Sequence, residues 1–274
     1  MVTGSSPGTA RWSPADDGLP RPVGGRYRVS VDTAEVNRSP FATLFNFRDV
    51  GGHVGHDGRA VRPGRLYRSD SLHRLDGADR EAFAALGVRT VIDLRRPHEV
   101  ERDGRVPHFD GLTWHHVHPE HAEWGETPYR PGSDQARYLA DRYADLAATG
   151  TAGLARAVGL IAEAANAPVV VHCVVGKDRT GLVCGLTLAA LGVADDDIAA
   201  DYALSTAAGE RFHAWYAAYT QRTGQSLPPL TCPAEAMTLF LAELRVAHGS
   251  VEGYLRHAGV TEAQLAALRT HLLT

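Results

Sequence analysis

Ala167-Pro-Val-Val-Val-His-Cys-Val-Val-Gly-Lys-Asp-Arg-Thr-Gly181 is the stretch on which the reading of this chain turns. Up to His172 it is a continuous β-branched run behind a proline, the pattern of a strand buried on both faces. From about Arg179 to Leu191 the apolar residues recur as in a helix. The residues between form a short loop joining the C-terminal end of a core strand to a helix N-terminus. Five residues separate Cys173 from Arg179. That spacing lets the loop curl so that the N–H groups of Val174, Val175, Gly176 and Lys177 converge on one point.

A nest of amides on a helix N-terminus binds a tetrahedral oxyanion. The same donors and dipole favour the thiolate of Cys173, and a thiolate is a nucleophile. Arg179 can clamp two equatorial oxygens of a phosphoryl group, where charge spreads in the transition state. Thr180 can donate its hydroxyl to the thiolate, and Gly176 relieves crowding in the tightest part of the loop. A buried structural cysteine is the plain alternative. It leaves the preceding His, the loop Gly and the following Thr-Gly without a reason.

Outward from this motif, Gly64–Arg68 and Arg89–Leu94 read as strands, and Thr113–His118 as another. Asp76 is placed to cap a helix ending at Leu86, and Ser133 or Asp134 one ending at Ala148; Leu154–Ala165 is the next. Beyond Asp195 the chain reads as helices separated near Gly224–Pro229, at Gly249 and at Gly259. Strands alternating with helices, then a helical tail, predict an α/β domain over residues 41–274 with a small central, mostly parallel sheet flanked by helices on both faces. Residues 1–40 are small, polar and rich in Pro and Gly. They predict a partly disordered extension, with a short edge strand at Arg28–Val31.

The chain has 274 residues, 44% of them hydrophobic, and a formal net charge of −4. That size supports one substantial core, and that charge argues against a nucleic-acid partner. The longest apolar stretch, Leu182–Leu191, is about half the length a membrane span needs. Three cysteines, Cys173, Cys184 and Cys232, make neither a disulfide framework nor a zinc-site spacing, so a reduced, cytoplasmic chain is expected. Lys177 is the only lysine, and it falls inside the loop.

The loop HCVVGKDRTG resembles the HCxxGKDRTG signature of a bacterial tyrosine/lipid phosphatase group within the cysteine-dependent protein tyrosine phosphatase superfamily. Asn46-Phe-Arg-Asp-Val-Gly-Gly52, Arg62-Pro-Gly-Arg-Leu-Tyr-Arg-Ser-Asp70, Leu86–Arg95 and Gly253-Tyr-Leu-Arg-His-Ala-Gly-Val260 resemble further motifs of that group. The resemblance implies one tyrosine-phosphatase-like domain that needs no cofactor or metal. It implies a phosphocysteine mechanism on phosphotyrosine, with phosphoinositides as a further substrate. Cys173 is then the nucleophile and Arg179 the clamp. Lys177 and Asp178 are loop groups tied to a wide substrate range, and Glu99 and Arg102 lie near the pocket.

The aspartate that many superfamily members place on a mobile loop is absent from His115–Glu123. The general acid is therefore open among Asp178, Glu120, His121 and Glu123, with Asp178 favoured because the motif fixes its position. His116 and His118, sharing one face of a strand with Glu120 or His121 nearby, offer a minor metal alternative. Arg48 and Asp49 are expected as a structural pair. Cys184 is a core residue, or a disulfide partner for Cys173 under oxidation. Positive charge from Lys177, Arg102 and the histidines predicts a preference for multiply anionic substrates that strengthens as pH falls from about 7.5 to about 6. Phosphatases of soluble metabolites, and a non-catalytic phosphate-binding module, are the competing functions. A mere binder would not need the thiol.

Overall fold

The computed structural model describes residues 39–124, 127–223 and 231–274. The expected extension, apart from residues 39 and 40, its edge strand and the break near 224–229 lie outside the described residues. Among the described residues five strands form one sheet: β1 (Arg48–Asp49), β2 (Leu66–Ser69), β3 (Thr90–Asp93), β4 (Thr113–His116) and β5 (Val169–His172), in the order β1-β2-β5-β3-β4. All neighbours are parallel except the two-residue β1, which pairs antiparallel with β2. A strand that short carries no alternation to read.

As its composition predicts, β5 is central and buried at every residue. Its side chains alternate between two cores. Val169 and Val171 join Leu66 and Ile92 in a large cluster with the helical layer, while Val170 joins Val91 in a smaller one. The large cluster draws on α3 (Gln135–Thr149), α4 (Thr151–Ala162), α5 (Asp178–Ala190), α6 (Asp195–Ala203), α8 (Ala234–His248), α9 (Val251–His257) and α10 (Glu262–Leu272), with α7 (Ser205–Thr223) following α6. The second face departs from the expectation of helices on both sides. Among the described residues α1 (Gly77–Ala85) brings Phe83 to it and a 3-10 helix at Leu72–Arg74 brings Leu72, while irregular chain supplies Phe41, Leu44, Phe47 and Leu75. Aromatic edge contacts, such as Phe41 on Phe47 at 4.7 Å, replace helix packing there.

Local signals place several helix starts. Asp134 caps α3 by accepting from the amides of Ala136 and Arg137. Asp76 stands at the start of α1 but makes no capping bond. β4 ends at His116 rather than His118, because the ladder closes with Val117 N–H on Asp93 O and Pro119 follows His118. The short helix α2 (Pro97–Asp103) leaves β3 with proline in its first turn and Glu99 closing a capping box on Arg96.

The register sets the site. Ser69 and Asp93 both pair with His172, so β2, β5 and β3 end level with one another. The residues after them, Asp70, Cys173 and Leu94, emerge side by side at the carboxyl edge. Parallel α/β sheets bind ligands at that edge.

Candidate active site

Between His172 and α5 the loop turns its carbonyls outward. Val174 O accepts from Ser71 N at 3.1 Å, Val175 O from Asn46 Nδ2 at 3.0 Å and Gly176 O from Arg68 Nη2 at 2.9 Å. Lys177 O takes the Gly181 amide at 2.8 Å as the helix begins. In a trans peptide the N–H points opposite to the C=O. The amides of Val175, Gly176, Lys177 and Asp178 therefore face away from these anchors, into the concave side. Those of Val175 and Gly176 have no partner among the described residues. Gly176 has φ +72°, and a Cβ there would lie 2.4 Å from Ser69 O, so only glycine fits between loop and β2.

Buried ions hold the anchors. Arg68, 1% exposed, gives Nη1 to Asp201 Oδ2 at 2.5 Å, and Arg48 gives Nε to Asp201 Oδ1 at 2.8 Å. Burial pushes the Asp201 carboxyl up, but Arg48 and Arg68 outweigh it and hold the group well below the usual carboxylate range. Arg48 thus pairs with Asp201 on α6 and not with Asp49, whose carboxylate instead takes the amides of Gly51 and Gly64. Asp70 takes the amides of Phe45 and Asn46 and pairs with Arg74, fixing the segment whose Asn46 holds Val175. Behind Cys173, Asp93 receives Nε and Nη2 of Arg95 at 2.9 and 2.7 Å and lies 3.5 Å from His172 Nε2. Burial keeps His172 below its ordinary pKa.

Cys173 is 3% exposed at the floor of the loop. Arg179 gives Nη1 to Glu99 Oε2 at 2.6 Å and to Leu94 O at 3.2 Å, and Nη2 to Glu99 Oε1 at 3.2 Å. Burial lowers the guanidinium pKa, but Cys173 and Glu99 more than reverse that, so it stays charged. A guanidinium has five N–H donors. Three are used, leaving Nε–H and one Nη2–H, which form the side-on fork that grips two oxygens of one anion. Thr180 is fully buried and its Oγ1 has no partner among the described residues.

The structure sorts the remaining candidates. Asp178 Oδ1 accepts from Tyr143 at 2.6 Å and lies 3.7 Å from Lys177 Nζ. Lys177 is 3% exposed, so its charge is spent inside the protein beside Asp178 rather than at a solvent-facing mouth. Arg102, in the last turn of α2, forks onto Asp103 and is half exposed. Glu99, one turn earlier, is the α2 residue that meets Arg179. Glu120 is exposed. His121 Nδ1 lies 2.8 Å from Arg96 Nη2, and burial with Arg96 and Arg179 lowers its pKa. His118 is pushed down to about 4 by burial and by Arg179. The His118 ring therefore stays neutral between pH 7.5 and 6, and His121 is held below its ordinary range, against the expected gain of positive charge. His116 stacks on Trp114 and reaches Arg95 O at 2.8 Å, while His118 packs against His121, so the strand-face chelate does not assemble. Cys184 is fully buried with its thiol pushed up to about 11 by burial, as a core residue.

The sequence offered no reading for Asp201, Tyr143 or Tyr202. Tyr143 carried a usable signal: a hydroxyl on the apolar stripe Leu139-Ala140-Leu146-Ala147 needs a buried partner.

Comparison with known proteins bears on the whole of this architecture. The model of the tyrosine phosphatase family matches residues 39–274. The chain is 34% identical over 274 residues to the triple specificity protein phosphatase PtpB of Mycobacterium tuberculosis, covering 84% of this chain and 96% of that protein. It is 34% identical over 246 residues to a Cupriavidus necator protein with a provisional tyrosine-protein phosphatase name, covering 85% and 87%. A tyrosine-protein phosphatase of Nostoc commune is 27% identical over 223 residues, covering 78% and 76%. The family match runs from the segment that anchors the loop to the last helix, and on that breadth the chain belongs to the tyrosine phosphatase family and is a phosphatase, a hydrolase.

Proposed function

We propose that this protein hydrolyses phosphomonoesters through a phosphocysteine intermediate, with phosphotyrosine as the first substrate and phosphoinositides as a second. The observation that carries the reading is the outward turn of three successive loop carbonyls, which aims amides at a point above Cys173 and beside the open fork of Arg179. In the first half-reaction Cys173 Sγ attacks phosphorus, the bond to the leaving oxygen breaks, and Asp178 gives that oxygen its proton. In the second, water attacks phosphorus, its proton goes to Asp178, and the sulfur–phosphorus bond breaks with the sulfur leaving as thiolate, accepting a hydrogen bond from the Thr180 hydroxyl. Asp178 suits the acid role better than Glu120, which is exposed, or His121, whose pKa is lowered by burial and by two arginines.

An aryl substrate is supported by Phe45, which adjoins Asn46 and packs toward Phe212 and Trp215. The phosphoinositide reading draws on the similarity to a triple specificity phosphatase. No nucleic-acid partner is proposed. Among the described residues no helix is long and apolar enough to cross a membrane. Cys173, Cys184 and Cys232 form no disulfide with one another, and a reducing cytoplasm is the proposed compartment.

The test is rapid quench with a phosphorylated aryl substrate and mass spectrometry of the trapped protein. A phosphoryl group on the peptide carrying Cys173 is expected, absent in Cys173→Ser, which should still bind vanadate because backbone amides form the cradle. Full turnover in Cys173→Ser would overturn the covalent route.

A further inference from the structure

Tyr143 is wholly buried on α3, and its hydroxyl has two neighbours. It donates to Asp178 Oδ1 at 2.6 Å and stands 2.5 Å from the hydroxyl of Tyr202, itself buried on α6. Each phenol has one proton, and an ionised carboxylate only accepts. With the Tyr143 proton on Asp178, Tyr202 must donate to Tyr143. The chain therefore runs from Tyr202 to Tyr143 to Asp178. Burial pushes both phenols well above their ordinary range, so both remain neutral donors at any working pH.

The packing leaves this chain no slack. The Tyr143 ring meets Tyr202 at 6.0 Å and 85°, Phe240 at 6.1 Å and 85°, and Trp124 at 6.1 Å. Gly181, the last residue of the loop motif, lies where a Cβ would come 3.1 Å from Tyr202 Cδ2, so the missing side chain admits the ring. Lys177 Nζ, 3.7 Å away, faces the same Oδ1. Asp178 Oδ2 has no hydrogen-bond partner among the described residues, and the side chain is 23% exposed.

We propose that Tyr143, backed by Tyr202, is a positioning residue for the acid–base step, pinning Asp178 Oδ1 so that Oδ2 alone exchanges a proton with substrate and water. This rests on Asp178 being the general acid. The proton leaves Oδ2 as the bond from phosphorus to the leaving oxygen breaks. It is replaced at Oδ2 from the attacking water as the sulfur–phosphorus bond breaks. Oδ1 accepts from Tyr143 throughout, and no proton travels along the tyrosines. One carboxylate oxygen thus serves both half-reactions without the side chain turning.

The experiment compares Tyr143→Phe, Tyr202→Phe, Asp178→Asn and the double variant Tyr143→Phe/Asp178→Asn on an aryl phosphate with a good leaving group and an alkyl phosphate with a poor one. Asp178→Asn should lose about 100-fold or more in kcat on the alkyl ester and far less on the aryl ester. Tyr143→Phe should show the same selectivity at about ten- to 100-fold, with KM changed less than about threefold. Tyr202→Phe should follow the same pattern more weakly. In the double variant, Tyr143→Phe should add no leaving-group dependence to Asp178→Asn. Equal losses on both esters in Tyr143→Phe, or a change in KM alone, would make Tyr143 a packing residue and overturn the proposal while Asp178 stands. A leaving-group-insensitive Asp178→Asn would instead remove the acid assignment, and the positioning role with it. Should Tyr143→Phe fail to fold, Tyr202→Phe decides: a flat leaving-group response there overturns the proposal.

Discussion

Glu99 grips Arg179 end-on, with Oε2 2.6 Å from Nη1 and Oε1 3.2 Å from Nη2, and so leaves the side-on fork of the guanidinium open. The pair is mostly buried, at 13% and 14% exposure. The Glu99 carboxylate is held below its usual range: burial pushes it up, and Arg179 outweighs burial. In the role proposed for Arg179, a clamp oriented before substrate arrives need not reorganise in the transition state.

Removing this orientation should cost rate more than binding. Glu99→Ala is expected to lower kcat about ten- to 100-fold, with KM on an aryl phosphate changed less than about threefold. Arg179→Ala should cost about 100- to 1,000-fold. Steady-state kinetics decide it. An unchanged kcat in Glu99→Ala would reduce the contact to an ordinary ion pair.

Gly176→Ala should disrupt the cradle itself. Its Cβ would sit 2.4 Å from Ser69 O at a φ of +72°, against backbone that cannot yield as a flexible side chain would. A loss of vanadate affinity is expected, together with destabilisation of about 1–3 kcal/mol. Calorimetric titration and urea unfolding measure the two. Wild-type affinity would mean that the loop does not adopt this conformation.

Asp201 is the counter-ion of two buried arginines, one of which carries Gly176. Asp201→Ala leaves Arg48 and Arg68 facing each other, which should cost about 3–5 kcal/mol of stability. Activity of the surviving folded fraction should also fall, since the Gly176 anchor loosens. The native Asp201 pKa lies below the unfolded one, so its contribution is present above the ordinary carboxylate range and is lost as pH falls beneath it.

Histidine adds a second, earlier acid sensitivity. His73 and His118 are each lowered to about 4, burial being the largest cause in both. Between about 4 and the ordinary 6.5 the unfolded chain binds protons that the folded chain does not, so stability falls as pH falls through that window. The slope is at most about 1.4 kcal/mol per pH unit for each ring, reduced by solvent screening at these part-exposed sites. Urea midpoints at pH 7, 6 and 5 should drop in order. His118→Gln should flatten the drop; an unchanged slope would mean that His118 is charged in the native protein.

Residues 167–181 determined the strand, the loop and the helix, and with them the placing of Cys173, Arg179 and Gly176 on which the proposed roles rest. A nest is made by contiguous backbone, so spacing alone can encode it. The alternation along Val169, Val170 and Val171 likewise placed a buried strand, because its period belongs to the chain itself. Tertiary structure decided the partners. Glu99 meets Arg179 across 80 residues, Tyr143 meets Asp178 across 35 and Tyr202 across 59, and Asp201 meets Arg68 across 133. No helical or strand period links such pairs. A buried charge or hydroxyl announces in the sequence only that it must be satisfied; which group satisfies it depends on how the sheet edge and the helices close around it. For the same reason Arg102, on the right helix, forks onto its neighbour Asp103, while Glu99 one turn earlier reaches the clamp.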